Sequence, residues 1–166
     1  MAGVETSLFD IEVRTLAGED QCMGTYRGRV LLIVNTASRC GFTPQYAGLE
    51  ALHQRFEDEG LSVLGFPCNQ FASQEPGDRE AIRDFCDSRY GGSFPMFEKV
   101  EVNGPGTHPL YRHLKAAAPG LLGTRGVKWN FTKFLVARDG KVLLRAGPRE
   151  TPESLEGPLR EALDRD

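Results

Sequence analysis

Four cysteines, a single tryptophan and several side-chain amides are the residues of this chain best suited to carry chemistry. Cys22, Cys40, Cys68 and Cys86 are separated by 18, 28 and 18 residues. That spacing contains no Cys-x-x-Cys dithiol and no zinc pattern, and His108 and His113 are out of register for one helix face. What remains for each sulfur is redox catalysis by a single thiol or burial as a small hydrophobe. Cys40 has the most telling position. It follows the continuous apolar run Val30-Leu31-Leu32-Ile33-Val34 and precedes Tyr46, Leu49, Leu52 and Phe56, which recur at helical spacing. A sulfur at such a strand-to-helix junction meets the positive end of the helix dipole and unpaired N–H groups, which favour the reactive thiolate. Arg39 adds a neighbouring positive charge.

The elements that must position Cys40 can be read outward from it. Arg29–Asn35 predicts a strand buried on both faces, Thr43–Glu57 a helix ended by Gly60, and Leu61–Phe66 a second apolar strand. Strand, helix and strand make a right-handed βαβ unit with parallel neighbours. Before it, Phe9–Val13 alternates apolar and polar residues, and Gly18-Glu19-Asp20 turns the chain into Gln21-Cys22-Met23, an amino-terminal β-hairpin. After it come a loop over Pro67–Pro76 and helices near Asp78–Ser88 and Pro109–Ala117. The strand Phe131–Val136 then turns at Arg138-Asp139-Gly140-Lys141 into Val142–Leu144. Thr151-Pro152-Glu153 opens a last helix, with Thr as cap and Pro at the first position. These 166 residues predict one α/β domain, 1–166, with a central mixed sheet flanked by helices.

Bulk composition narrows the function classes. The chain is 40% hydrophobic and 26% charged, with a formal net charge of −3, so nothing in it calls for a nucleic-acid partner. A local basic patch around Arg125-Gly126-Val127-Lys128 stays open. The first ten residues have no apolar core of a secretory signal, and no run is long enough for stable membrane insertion, so a cytoplasmic location is expected. In a reducing compartment four cysteines do not make a structural disulfide framework.

Three segments carry a resemblance. Asn35-Thr36-Ala37-Ser38-Arg39-Cys40-Gly41-Phe42-Thr43 resembles the active-site segment of the glutathione peroxidase family. Gly65-Phe66-Pro67-Cys68-Asn69-Gln70-Phe71, continuing to Gln74-Glu75-Pro76-Gly77, resembles its second motif, and Lys128-Trp129-Asn130-Phe131-Thr132-Lys133-Phe134 its third. The motifs come in family order, and the similarity extends over nearly the whole chain. The resemblance implies a thioredoxin-like fold and a peroxidase active in the antioxidant response to oxidative stress. It also implies a catalytic set of Cys40, Gln74, Trp129 and Asn130, with neither cofactor nor metal. The chemistry is consistent with those residue types. A thiolate attacks one peroxide oxygen, and neutral N–H donors from two amides and an indole stabilise the thiolate and the departing oxygen.

Attack leaves Cys40 as a sulfenic acid, which must be captured by another thiol or be overoxidised. In cysteine-containing members of the family an internal thiol does this, and thioredoxin reduces the resulting disulfide. Cys86, 46 residues after Cys40, lies where the resemblance puts that resolving thiol. Its predicted helix would have to open for the disulfide to form. Two other readings use the same sulfenic acid: a glutathione-using peroxidase in which Cys86 is incidental, and a peroxide sensor that passes oxidation to a partner protein. A chaperone or binding module with an inert Cys40 is a further class. Tetrameric relatives have a longer insertion between the positions of Lys115 and Trp129, so the short connection here implies a monomer. It also implies an uncovered site suited to lipid hydroperoxides. Arg125 and Lys128 are candidates for contacting an anionic substrate or an acidic reductant. Cys68 is expected to support its loop as a small buried residue, ahead of a backup resolving or regulatory role, and Cys22 matches no role in the family.

Overall fold

The computed structural model describes residues 7–73, 75, 77–90, 93–120 and 123–165, with 87–90 described by their backbone alone. In chain order the elements are β1 (Glu12–Arg14), β2 (Asp20–Cys22), β3 (Val30–Thr36), α1 (Gln45–Phe56), β4 (Leu61–Pro67), α2 (Arg79–Tyr90), α3 (Pro109–Ala117), β5 (Lys133–Val136), β6 (Val142–Ala146) and α4 (Glu156–Asp164).

β1 and β2 form the antiparallel hairpin, registered Glu12 against Cys22. The first strand is shorter than its alternation predicts, because Leu8–Asp10 is a 3-10 turn capped by the Ser7 hydroxyl. Leu8 and Phe9 are both buried, which consecutive residues of a strand with one face in solvent, such as β1, do not allow.

The main sheet has the order β4-β3-β5-β6. β3 is parallel to β4 from Val30/Leu61 to Thr36/Pro67, and antiparallel to β5 from Leu31/Val136 to Val34/Lys133. All seven residues of β3 are buried, as expected of a strand covered on both faces. Its alternate residues feed two cores. Val30, Leu32 and Val34 pack with Tyr46, Leu49 and Phe56 of α1, Ile82 of α2 and Leu159 of α4. Leu31 and Ile33 pack on the other side with Phe66, Phe134 and Leu110, Tyr111 and Leu114 of α3. The result is a mixed sheet with helices on both faces.

Three further features bear on the site. The outer edge of β4 is covered by an extended segment: Gly65 N–H donates to Pro95 O at 3.0 Å, Phe97 N–H to Gly65 O at 2.9 Å, and Val100 N–H to Pro67 O at 2.8 Å. β5 begins two residues later than predicted, because Phe131 takes a left-handed conformation (φ 62°) that no strand accommodates. The last helix starts as a 3-10 turn, Pro152–Leu155, under the Thr151 cap.

Candidate active site

Cys40 lies in neither β3 nor α1 but in the turn between them, and α1 begins five residues after it. That is the strand-to-helix junction expected, with the helix starting two residues later than Thr43: Gly41–Pro44 form turns, and the first regular helical residue is Gln45. The turn is closed by Thr43. Its hydroxyl accepts the Cys40 N–H at 2.9 Å and donates to Ala37 O at 2.8 Å, while the Thr43 N–H donates to Cys40 O at 3.0 Å. The Phe42 N–H points at the Cys40 sulfur, 3.4 Å away. Cys40 is a free thiol only 6% exposed, so the fold fixes the direction of the sulfur through backbone and hydroxyl groups.

Asn35, at the end of β3, brings the third motif to this turn. Its side-chain amide donates to Trp129 O at 3.2 Å, and its own carbonyl accepts the Phe131 N–H at 2.7 Å. The Thr132 hydroxyl donates to the same Trp129 carbonyl at 2.9 Å. The left-handed Phe131 is the bend these bonds impose, and an aromatic residue held there is strained by about 1 kcal/mol or more. Trp129 is half-buried with its ring centroid 5.6 Å from that of Phe71, and Asn130 is fully buried. Trp129 and Phe42 both pack against the core cluster that contains Cys40. They also line an open depression of about 480 Å³, completed by Gly147, Pro148, Arg149 and Glu150.

Gln74 lies outside the described residues. The residue after it, Glu75, is fully buried, accepts a hydrogen bond from the Ser38 hydroxyl and donates its N–H to Asn69 Oδ1 at 3.0 Å. The second motif is thereby tied to the Cys40 turn two residues before the sulfur. Burial pushes the Glu75 carboxyl above its ordinary range, opposed by the Ser38 hydrogen bond and by Lys99 and Arg39.

Cys86 sits on the inner face of α2, buried and in no disulfide, in the same apolar cluster as Cys40. The Tyr46 ring packs edge-on to Phe85 and stacks on Phe94. Its hydroxyl is pushed well above the usual phenol range by burial and by the nearby Cys86 thiol. Cys68 is buried below the sheet and its thiol is raised by burial. Cys22 accepts the Gly24 N–H and donates to Phe9 O at 3.0 Å, capping a 3-10 turn. Arg125 and Lys128 are exposed. Sequence reasoning assigned no separate role to Asn35, Thr43, Glu75 or Lys133. The signal available was that polar residues this deep in apolar surroundings need partners.

The profile of the glutathione peroxidase family matches residues 8–115. This chain belongs to the glutathione peroxidase family. It is a peroxidase, and hence an oxidoreductase. Across 98% of its length it is 50% identical to the hydroperoxy fatty acid reductase gpx1 of Synechocystis, covering 99% of that protein. It is 46% identical to glutathione peroxidase-like peroxiredoxin 2 of Saccharomyces cerevisiae over 96% of this chain and 99% of the yeast one. Among solved structures, Trgpx in its apo form superposes with a TM-score of 0.81 at 43% identity, covering 97% of each chain. A thioredoxin-family thiol:disulfide interchange protein of Chlorobium tepidum superposes at 0.70 with 15% identity, over 98% of this chain and 99% of that one. The fold is thioredoxin-like, with an antiparallel hairpin at its amino-terminal end. No helix among the described residues is long and apolar enough to cross a membrane.

Proposed function

We propose that this peroxidase reduces hydrogen peroxide and organic or lipid hydroperoxides through the thiolate of Cys40, with Cys86 as resolving thiol and thioredoxin as reductant. The observation that carries the reading is the Cys40 turn: a sulfur oriented by Thr43 and the Phe42 N–H, in one apolar cluster against which Phe42 and Trp129 pack, the two side chains that line an open apolar depression. The thiolate attacks the outer peroxide oxygen and the O–O bond breaks. Cys40 becomes a sulfenic acid, and the alkoxide takes a proton to leave as an alcohol. Gln74, Trp129 and Asn130 supply neutral N–H donors to the sulfur and the departing oxygen, each lowering the barrier by about 2–4 kcal/mol. The Cys86 sulfur then displaces the sulfenic oxygen, which leaves as water with the thiol proton, and α2 opens locally so that the two α-carbons come within about 7 Å. Thiol–disulfide exchange with thioredoxin restores both thiols. The similarity to a yeast protein called a peroxiredoxin supports a thiol reductant, and that to a hydroperoxy fatty acid reductase supports apolar substrates. The enzyme works as a cytoplasmic monomer, the short connection from Lys115 to Trp129 leaving the depression uncovered.

The test is intact-mass analysis with disulfide mapping of reduced protein given one equivalent of hydrogen peroxide. A Cys40–Cys86 bond released by thioredoxin is the expected result. Cys40 stopping at sulfenic or sulfinic acid with Cys86 still free would refute internal resolution and leave glutathione or a partner protein to supply the second thiol.

A further inference from the structure

Lys133 is the first residue of β5 and is fully buried. A buried ammonium needs partners, and this one has three, all carbonyls of one loop: Glu150 O at 2.6 Å, and Gly147 O and Pro148 O at 3.4 Å each. A second tie comes from the start of α1, where Gln45 Nε2 donates to Pro148 O at 2.6 Å. The loop closes on itself through Gly147 N–H to Glu150 Oε2 at 2.7 Å. Gly147–Glu150 is the wall of the depression that faces Phe42 and Trp129. Lys133 follows Thr132, whose hydroxyl holds the Trp129 carbonyl, so one short stretch of chain sets both sides of the depression. The floor and walls offer an indole, a phenyl ring, a proline and a glycine, while Arg149 and Glu150 contribute opposite charges at the rim.

We propose that Lys133 is a positioning residue for substrate selection: by gripping three carbonyls of Gly147–Glu150 it sets the wall against which the uncharged, apolar body of a bulky hydroperoxide rests while its peroxide group meets Cys40. The proposal rests on Cys40 being the peroxide-reacting sulfur. Hydrogen peroxide is too small to touch that wall, so it reports the chemistry without the contact. The charged groups facing the ammonium are Glu150 and Glu153, and α1 presents the neutral amide of Gln45. Burial lowers the Lys133 ammonium to about 8 against the pull of those two carboxylates. Above that pH the grip loses its charge and weakens.

The experiment measures second-order rate constants for loss of the Cys40 thiol in fully reduced protein, with cumene hydroperoxide and with hydrogen peroxide, and takes their ratio. Ionisation of Cys40 affects both constants and cancels. In Lys133→Met the ratio is expected to fall roughly tenfold. In the wild type it is expected to fall about threefold between pH 7 and pH 9.5. A ratio within twofold of wild type in Lys133→Met overturns the proposal and makes Lys133 a loop anchor only. Should that variant fail to fold, a wild-type ratio that is flat from pH 7 to 9.5 overturns it equally. Failure of wild-type Cys40 to react with either peroxide removes the Cys40 reading itself, and the proposal with it.

Discussion

Replacing Thr43 with valine tests whether the Cys40 turn is held as the geometry implies. Valine keeps the shape and the β-branched rotamer preference of threonine and removes only the hydroxyl. Two backbone groups then lose their partner: the Cys40 N–H, now 2.9 Å from the hydroxyl, and the Ala37 carbonyl, now 2.8 Å from it. Ala37 is fully buried and Cys40 is 6% exposed, so bulk water reaches neither readily. Stranding a buried backbone group costs about 1–3 kcal/mol. Exposed Gly41 alongside lets the turn relax toward solvent, so the low end of that range applies, about 1–1.5 kcal/mol for each group and about 2–3 kcal/mol for the pair. With a urea dependence of roughly 2 kcal/mol per molar, the unfolding midpoint falls by roughly 1 M. The sulfur also loses its fixed direction, and oxidation of Cys40 by hydrogen peroxide slows about ten- to a hundredfold. Equilibrium urea unfolding and stopped-flow oxidation both have an intrinsic probe in Trp129, the only tryptophan. Thr43→Ser is the control, because it keeps the hydroxyl. If the valine and serine variants unfold together and react at the same rate, the hydroxyl does not organise the turn and the argument fails.

Two further outcomes follow from buried polar groups elsewhere. The Glu75 carboxyl is raised above its ordinary 4.5 by burial, so the folded chain holds a proton that the unfolded chain releases as pH rises from about that value. Wild-type stability therefore declines through that window; Glu75→Gln removes the decline and is the more stable protein at pH 7. Thermal unfolding from pH 4 to pH 8 checks this, and parallel curves for the two proteins would contradict it. The Arg138 guanidinium donates to Gly28 O and Glu59 O at 3.0 Å and to Leu163 O at 2.9 Å, joining the approaches to β3 and β4 to the end of α4. Arg138→Met is expected to lower stability by about 1–3 kcal/mol in denaturant titration, and a change below about 0.5 kcal/mol would show the clamp to be idle.

The sheet and its helices are legible in the sequence where burial is one-sided or complete. β3, α1 and β4 announce themselves by apolar runs and helical spacing, and the Thr151-Pro152 start of the last helical segment by its capping chemistry. What escapes is set by contacts distant in sequence or by single dihedral angles. Nothing local marks Phe131 as left-handed, since its bend is imposed by Asn35, almost a hundred residues earlier. Nor does anything local mark Lys133 as buried, because its partners are carbonyls on a loop that follows the next strand. The site divides the same way. Cys40 and Trp129 are conspicuous as residue types, whereas Thr43 and Glu75 become visible only once their partners are known.

The covered edge of β4 has a consequence for how the molecule behaves in crowded solution. An outer strand with bare N–H and C=O groups is a template on which other chains can add strands and grow into aggregates. Here residues 95–100 occupy that template, and Gly65 makes the fit possible: a β-carbon there would lie 2.4 Å from the Met96 sulfur. The cover is threaded only a few residues after α2, and the buried carboxylate of Glu50 anchors its near end through the backbone N–H of Ser93 at 3.0 Å. These ties run to α1 and β4, not to α2, so an α2 that leaves its place to let Cys86 react would leave the edge covered. Oxidised protein is then expected to stay as soluble on storage as the reduced form.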